Sequence, residues 1–275
     1  MEHRYTPIFV GGTGRCGTGQ LVKTLERHPL VVRIKRETRV LAQPGGLFSL
    51  YEIAKRYGRV PTDQAIHNWR LLCESQAEDM ERFVGPIMPL VEKTIARVKS
   101  GDIEEACRDF VYSLMDRVYR PRVDFIVEKT PRNILCIRTI LELFPECKFI
   151  HIKRDPREVI ASWARMDWSP RQGDIAANFA HLKNNWYGPW MAVRDWARKQ
   201  PQYYEVKMED ICHDPPTAMR DLADFCGIKR WAWPTDCFQL SKRKVKLEGH
   251  PERRTLDKLA PDLDGIIGGY DDGQN

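Results

Sequence analysis

The chain has 275 residues, and none of its apolar runs is close to the length of about 20 residues that a helix needs to cross a bilayer. Its N-terminus also lacks the apolar stretch and cleavage site of a secretory signal, so we expect a cytoplasmic protein with no membrane partner. Internal repeats and low-complexity linkers are missing as well. The composition, 42% hydrophobic and 30% charged, is instead typical of a folded enzyme.

Metal-binding patterns are absent too. The eight cysteines form no CxxC pair and no Cys/His cluster with zinc-ligand spacing. We therefore expect no metal site, and we interpret the cysteines as reduced, mostly buried thiols. The net charge of +6 comes from scattered basic residues, which favours an anionic small molecule over nucleic acid as a partner. The sequence leaves the oligomeric state open, a homodimer included.

Short apolar runs alternate with helical patterns along the chain. The runs predict strands at Pro7–Val10, Val31–Ile34, Phe125–Val127, Lys148–Ile152 and Tyr203–Val206. Residues 40–122 are rich in helix formers and predict a helical cap. This order predicts an α/β fold in one domain, 1–275, with a parallel sheet flanked by helices on both faces and a helical cap insertion.

A glycine-rich loop, Gly11–Gln20, lies between the first strand and the first helix. Glycines let several N–H groups converge on an anion, and the helix adds its positive N-terminal end. Gly12 and Gly17 have the separation of the P-loop glycines, but Thr18 stands where the P-loop has lysine. Arg15 can supply that charge, so we expect a P-loop-like anion site. The alternatives are a turn without a ligand and a dinucleotide loop, and the latter lacks its ribose-binding acid.

Two segments carry a resemblance to a known family. Residues 12–19 are similar to a GxxRSGTT element, with Cys16 and Gly19 in place of serine and threonine, and the string from Phe149 to Trp163 matches a second signature. Together they resemble the sulfotransferases that use PAPS (3'-phosphoadenosine 5'-phosphosulfate). The resemblance implies that Arg154 and Ser162 bind the 3'-phosphate. It also implies that the loop binds the 5'-phosphosulfate through Gly14, Arg15, Cys16, Gly17, Thr18, Gly19 and Gln20.

The resemblance extends to two later segments. Residues 127–133 are similar to the EKTP(R)N string of bacterial members, which puts Lys129 at the carboxyl edge of the sheet. Residues 206–228 are similar to the late strand and closing helix, with Met208 where the family usually has tyrosine. The likeness covers residues 7–39 and 125–228.

The activity implied by the resemblance is in-line transfer of a sulfuryl group from PAPS to a hydroxyl, phenol or amine, which leaves PAP. Lys129 and Arg15 would neutralise the leaving group. The string around Glu37 resembles the GEETR string of tyrosylprotein sulfotransferases, whose glutamate is the general base. We expect Arg36 and Arg39 to keep the Glu37 carboxylate ionised.

Several alternatives stay open at this point. His67 in the cap is a second candidate for the general base. A P-loop kinase, or a nucleotide-binding protein without turnover, would share much of the pattern. The acceptor is of unknown class, whether a small molecule, a glycan or a tyrosine-containing peptide. The basic run Lys242–Lys246 either closes over the donor's phosphates or is solvated.

Overall fold

The computed structural model describes residues 4–229 except 168, 170 and 171, together with 258, 259 and 266. Within these residues, five strands form one sheet in the order β2-β3-β1-β4-β5, and every neighbouring pair is parallel. The strands are β1 (Thr6–Gly11), β2 (Val31–Arg33), β3 (Phe125–Lys129), β4 (Lys148–Lys153) and β5 (Tyr203–Lys207). The apolar runs therefore predicted all of these strands to within about two residues.

Helices cover both faces of the sheet. Ile8, Phe9 and Val10 of β1 are all fully buried, although successive side chains of a strand point to opposite faces. The confirmed α/β class follows from this two-sided burial. The helices are α1 (Thr18–Leu25), α2 (Arg39–Ala42), α3 (Leu47–Tyr57), α4 (Asp63–Val84), α5 (Met88–Lys99), α6 (Ile103–Asp116), α7 (Ile137–Leu143), α8 (Pro156–Ala164), α9 (Ile175–Leu182), α10 (Gly188–Ala197), α11 (Met208–His213) and α12 (Pro215–Cys226).

Helices α2 to α6 fill the chain between β2 and β3, which confirms the helical cap insertion. Trp69 of α4 is fully buried, donates to the Val40 carbonyl at 3.0 Å and packs edge-on against Phe110 of α6. These contacts belong to the same continuous apolar core as the sheet. The cap is thus packed onto the α/β core rather than tethered to it.

Two segments of the chain are helical without being α-helical. The chain after β3 begins with a 3₁₀ helix, Pro131–Cys136, before α7. Helices α9 and α10 are joined by a π-helical segment, Lys183–Tyr187, whose last turn has Gly188 N–H bonded to the Lys183 carbonyl. Pro189 cannot donate to the carbonyl four residues before it, which favours a wider turn at this point.

The described residues include most of the cysteines but not the basic run near the C-terminus. The seven described cysteines form no disulfide, and five of them are buried. No helix in the described ranges is both long and apolar enough to cross a membrane. Cys237 and the basic run Lys242–Lys246 lie outside the described residues.

Candidate active site

The glycine-rich loop emerges at the carboxyl edge of the sheet, between the ends of β3 and β4. Val10 pairs with Lys129, and Gly11 pairs with His151. A hydrogen bond of 2.9 Å from the Gly12 N–H to the Pro131 carbonyl joins the loop to the segment after β3. Ligands of open parallel sheets bind at this edge. The register therefore brings the three predicted donor segments together.

The backbone of the loop is left-handed at three positions. The φ angles are 72° at Gly14, 56° at Arg15 and 105° at Gly17, the residue that precedes α1. A Cβ atom at Gly17 would lie 2.6 Å from Met208 Sδ, so a side chain does not fit there. Met208, which replaces the family's usual tyrosine, thus packs directly under the loop. Left-handed residues are one component of the backbone nests whose N–H groups converge on an anion.

Arg15 connects the two predicted donor anchors. Its Nε donates to Ser162 Oγ at 3.0 Å, and Arg154 Nη1 donates to the Arg15 carbonyl at 3.1 Å. Arg154 also forms an ion pair of 2.8 Å with Glu158, one turn further along α8. Arg15 therefore contacts two residues that lie 139 and 147 positions further along the sequence. The guanidinium of Arg15 lies on the Ser162 side of the loop, next to the predicted 3'-phosphate ligands.

The other loop side chains differ in their surroundings. Cys16 is fully buried, and this burial raises the pKa of its thiol, so only its backbone can face a ligand. Thr18 is 5% exposed. Gln20 is half-buried. A Cβ atom built at Gly19 meets no atom within 4 Å, so space for a side chain exists where the family has threonine.

The predicted base and a predicted charge-stabilising residue contact each other. Lys129 Nζ lies 2.6 Å from Glu37 Oε1, and Arg39 Nε lies 3.4 Å from Glu37 Oε2. The expectation for Arg36 is wrong, because its guanidinium contacts Asp79 and the Phe83 ring of α4 instead. Lys129, which the sequence pattern did not pair with Glu37, takes that place. A local pattern cannot show this contact, since 92 residues separate the two.

A buried carboxylate lies directly beside this pair. Glu128 is fully buried and accepts hydrogen bonds from Thr38, from Thr130 at 2.7 Å and from Asn133. Burial raises the pKa of Glu128, and these three hydrogen bonds oppose that effect. Thr38 follows Glu37, and Glu128 precedes Lys129. The network therefore fixes the backbone on both sides of the Glu37–Lys129 ion pair.

A second buried network joins polar side chains of β4 and β5, and the sequence analysis did not predict it. Glu205 accepts from Lys153 at 2.7 Å, from Arg198 at 2.9 Å and from Tyr203 Oη at 2.8 Å, and Tyr203 Oη lies 2.7 Å from His151 Nδ1. Burial acts to raise the pKa of Glu205, but the hydrogen bond from Arg198 and the charge of Lys153 lower it to about 2. The alternation of polar residues on two apolar strands was the available signal.

Three histidines bear on the choice of a general base, namely His28, His67 and His151. His28 and His151 are buried, as expected for structural residues. Burial lowers the pKa of His151 to about 3. His67 is exposed on α4, roughly 18 Å of helix before Asp79, the residue that contacts Arg36. No contact of the described residues joins His67 to Glu37 or to the loop, and its role as base stays a prediction.

The described part of the chain contains no cluster of metal ligands. Within it, no three His, Cys, Asp or Glu side chains come together as a metal site. Metal-independent chemistry stays a prediction.

Comparison with known proteins gives a family match over most of the chain. The model of the Sulfotransferase family matches residues 7–233. A protein of Aquifex aeolicus, described as uncharacterized, is 28% identical over 185 residues, which cover 60% of this chain and 23% of the relative. The omega-hydroxy-beta-dihydromenaquinone-9 sulfotransferase Stf3 of Mycobacterium bovis is 26% identical over 153 residues, 53% of this chain and 38% of that protein. The chain thus spans well under half the length of these relatives.

A solved structure shows the same architecture. A sulfotransferase from Alicyclobacillus acidocaldarius superposes with a TM-score of 0.55 at 14% identity, covering 98% of this chain and 94% of the other. At 14% identity, this structural likeness shows that the two proteins share a fold and nothing more. The parallel sheet with its flanking helices is therefore common to both proteins.

Proposed function

The chain belongs to the sulfotransferase family, and from that premise we propose that it transfers a sulfuryl group from PAPS to a hydroxyl, phenol or amine acceptor and leaves PAP. One observation carries the proposal. The loop residue Arg15 contacts both Ser162 and Arg154, so the residues implied for the two ends of the donor are joined in one cluster.

The residues at this edge fit a doubly anionic nucleotide. The loop presents backbone N–H groups ahead of α1, whose first turn carries no acidic residue to repel an anion. Arg154 and Ser162 would hold the 3'-phosphate, and the loop backbone would hold the 5'-phosphosulfate. PAPS, when bound, supplies the sulfuryl group and a nucleotide phosphate as the leaving group.

Side chains of the protein itself would carry out the proton transfer and the stabilisation of charge. Glu37 would take the proton from the acceptor, and Lys129, 2.6 Å from its carboxylate, would hold that group in position. Lys129 would counter the negative charge that develops on the leaving oxygen, and Arg15, whose guanidinium contacts Ser162, would add its positive charge from the 3'-phosphate side. Preorganised charges of this kind need no rearrangement as the reaction proceeds.

A binding comparison tests the choice of nucleotide. We expect calorimetry to show PAP binding at least about tenfold more tightly than ATP, because Arg154 and Ser162 contribute charge-assisted hydrogen bonds only to a 3'-phosphate. Titrations with and without Mg²⁺ provide the control. Tighter binding of ATP, and only with Mg²⁺, would support a kinase and contradict the proposal.

A further inference from the structure

Arg132 has an unusual environment for an arginine. It lies in the 3₁₀ helix, three residues after Lys129, and burial lowers the pKa of its guanidinium. Its Nε is buried, and no described residue accepts a hydrogen bond from it. No ion pair joins Arg132 to a carboxylate of the described residues. Arg132 is thus a half-buried cation that has no carboxylate partner among the described residues, which leaves its guanidinium available to an anion.

A second unsatisfied donor lies beside it. The guanidinium carbon of Arg132 lies 5.2 Å from the centre of the Trp186 ring. Trp186 is 6% exposed, and its Nε1 is also buried without an acceptor among the described residues. Buried polar groups are nearly always hydrogen-bonded in folded proteins. Arg132 and Trp186 therefore each carry an N–H donor that no described residue uses.

The position of Trp186 connects this pair with the glycine-rich loop. Trp186 lies in the π-helical segment, a local structure found frequently at functional sites. Its ring packs edge-on against Trp163 at 6.1 Å, and Trp163 lies 3.6 Å from where a Cβ atom of Gly14 would be. The Arg132–Trp186 pair is thus one aromatic ring away from the loop that we assign to the donor.

We propose that an anionic group of the acceptor substrate, a carboxylate in the simplest case, binds at the guanidinium of Arg132, beside Trp186. The proposal rests on the proposed function and names the chemistry of its acceptor. Arg15, Arg154 and Ser162 already contact one another at the assigned donor end, and no contact of the described residues joins Arg132 to them. Aromatic rings around the guanidinium suit the apolar part of an organic anion.

The test compares two small compounds of nearly the same shape. Benzoate and benzamide are titrated by calorimetry into the whole protein saturated with PAP. We expect benzoate to bind about tenfold more tightly than benzamide, because its carboxylate accepts charge-assisted hydrogen bonds that the neutral amide cannot match. In Arg132→Gln this preference disappears, and in Trp186→Phe, which keeps a ring but removes the N–H, it weakens.

Arg138→Gln is the matched control. Arg138 also lies over a tryptophan ring, that of Trp196 at 4.4 Å, but it is exposed. We expect this variant to keep the preference for benzoate.

Several outcomes overturn the proposal. Equal binding of the two compounds, no binding of either, or a preference that survives Arg132→Gln would each do so. A tenfold loss of PAP affinity in Arg132→Gln would assign the anion to the donor instead. If PAP does not bind the unmodified protein, the proposed function fails, and the same comparison without nucleotide still tests the anion site.

Discussion

Arg15 is a non-glycine residue in left-handed backbone geometry, with φ of 56°. Such a conformation costs on the order of 1–3 kcal/mol and persists only where the surroundings impose it. Here the surroundings are Ser162 on its side chain and Arg154 on its carbonyl. The strain is therefore located where the two donor-binding segments meet.

Replacing Arg154 should distinguish contacts to the 3'-phosphate from contacts to the rest of the nucleotide. We expect Arg154→Ala to weaken PAP binding by about ten- to a hundredfold, the loss that follows from one charge-assisted hydrogen bond. AMP, which lacks the 3'-phosphate, should bind within about twofold of its original affinity. Calorimetry with both nucleotides measures this, with the exposed Arg165→Ala as control. Equal losses for PAP and AMP would show that Arg154 acts through the loop instead of through the 3'-phosphate.

Adding the missing hydroxyl at Gly19 should strengthen donor binding. A Cβ atom at Gly19 meets no atom within 4 Å, so the first atom of a threonine side chain displaces no neighbour. We expect PAP affinity to rise about two- to tenfold, since one hydrogen bond contributes roughly 0.5–1.5 kcal/mol net. Gly19→Ala is the matched control, because it fills the same space without the hydroxyl. The same gain in both variants would contradict a hydroxyl contact.

Removing the carboxylate of Glu37 should affect chemistry and spare binding. We expect Glu37→Gln to lower turnover by about a hundred- to ten-thousandfold, the usual contribution of a general base. The affinity for PAP should stay unchanged. Steady-state kinetics and calorimetry on the same preparation measure both. Full activity in this variant would exclude Glu37 as the base and make His67 the next residue to test.

At the scale of secondary structure, the strands and most helices could be predicted because their signals are local. Apolar runs at β1 and β4 and the glycine loop after β1 indicate their structure within about ten residues of sequence. The pairing of Lys129 with Glu37 and of Arg15 with Ser162 could not be predicted, because each depends on strand register across the sheet. The π-helical segment was missed because no periodicity distinguishes one wide turn from an ordinary helix.

The buried network of β4 and β5 predicts a pH dependence of stability. The unfolded chain protonates His151 near its ordinary pKa of 6.5, whereas burial lowers the pKa in the folded protein to about 3. The unfolded state therefore binds more protons between these values, and the free energy of unfolding falls as the pH drops. The contribution of His151 is about 1.4 kcal/mol per pH unit within this range, and it is constant above pH 7.

Urea unfolding between pH 7 and pH 5 measures this effect. Glu205, whose pKa is lowered to about 2, adds its own loss only as the pH falls below about 4.5. We expect His151→Gln to show a shallower slope than the unmodified protein, by roughly 0.7 proton on average over this pH range. Identical slopes in the two proteins would show that His151 titrates normally in the folded state.

At the scale of the whole molecule, the candidate site combines segments that are far apart in the sequence. The loop after β1, the segment after β2, the end of β3 and the start of α8 all reach one edge of a parallel sheet. The helical insertion between β2 and β3 places α4 beside the segment that carries Glu37. This arrangement brings a donor site and a candidate base together and leaves the acceptor to be identified.

Label transfer from PAPS tests the central claim most directly. The protein is incubated with ³⁵S-labelled PAPS and a panel of phenols, alcohols and amines, with and without EDTA, and in parallel with γ-labelled ATP. We predict transfer of the sulfur label to at least one acceptor, unchanged by EDTA, and no transfer from ATP. Loss of sulfur transfer in EDTA, or transfer of the ATP label with none from PAPS, would contradict the assignment as a metal-independent PAPS-dependent sulfotransferase.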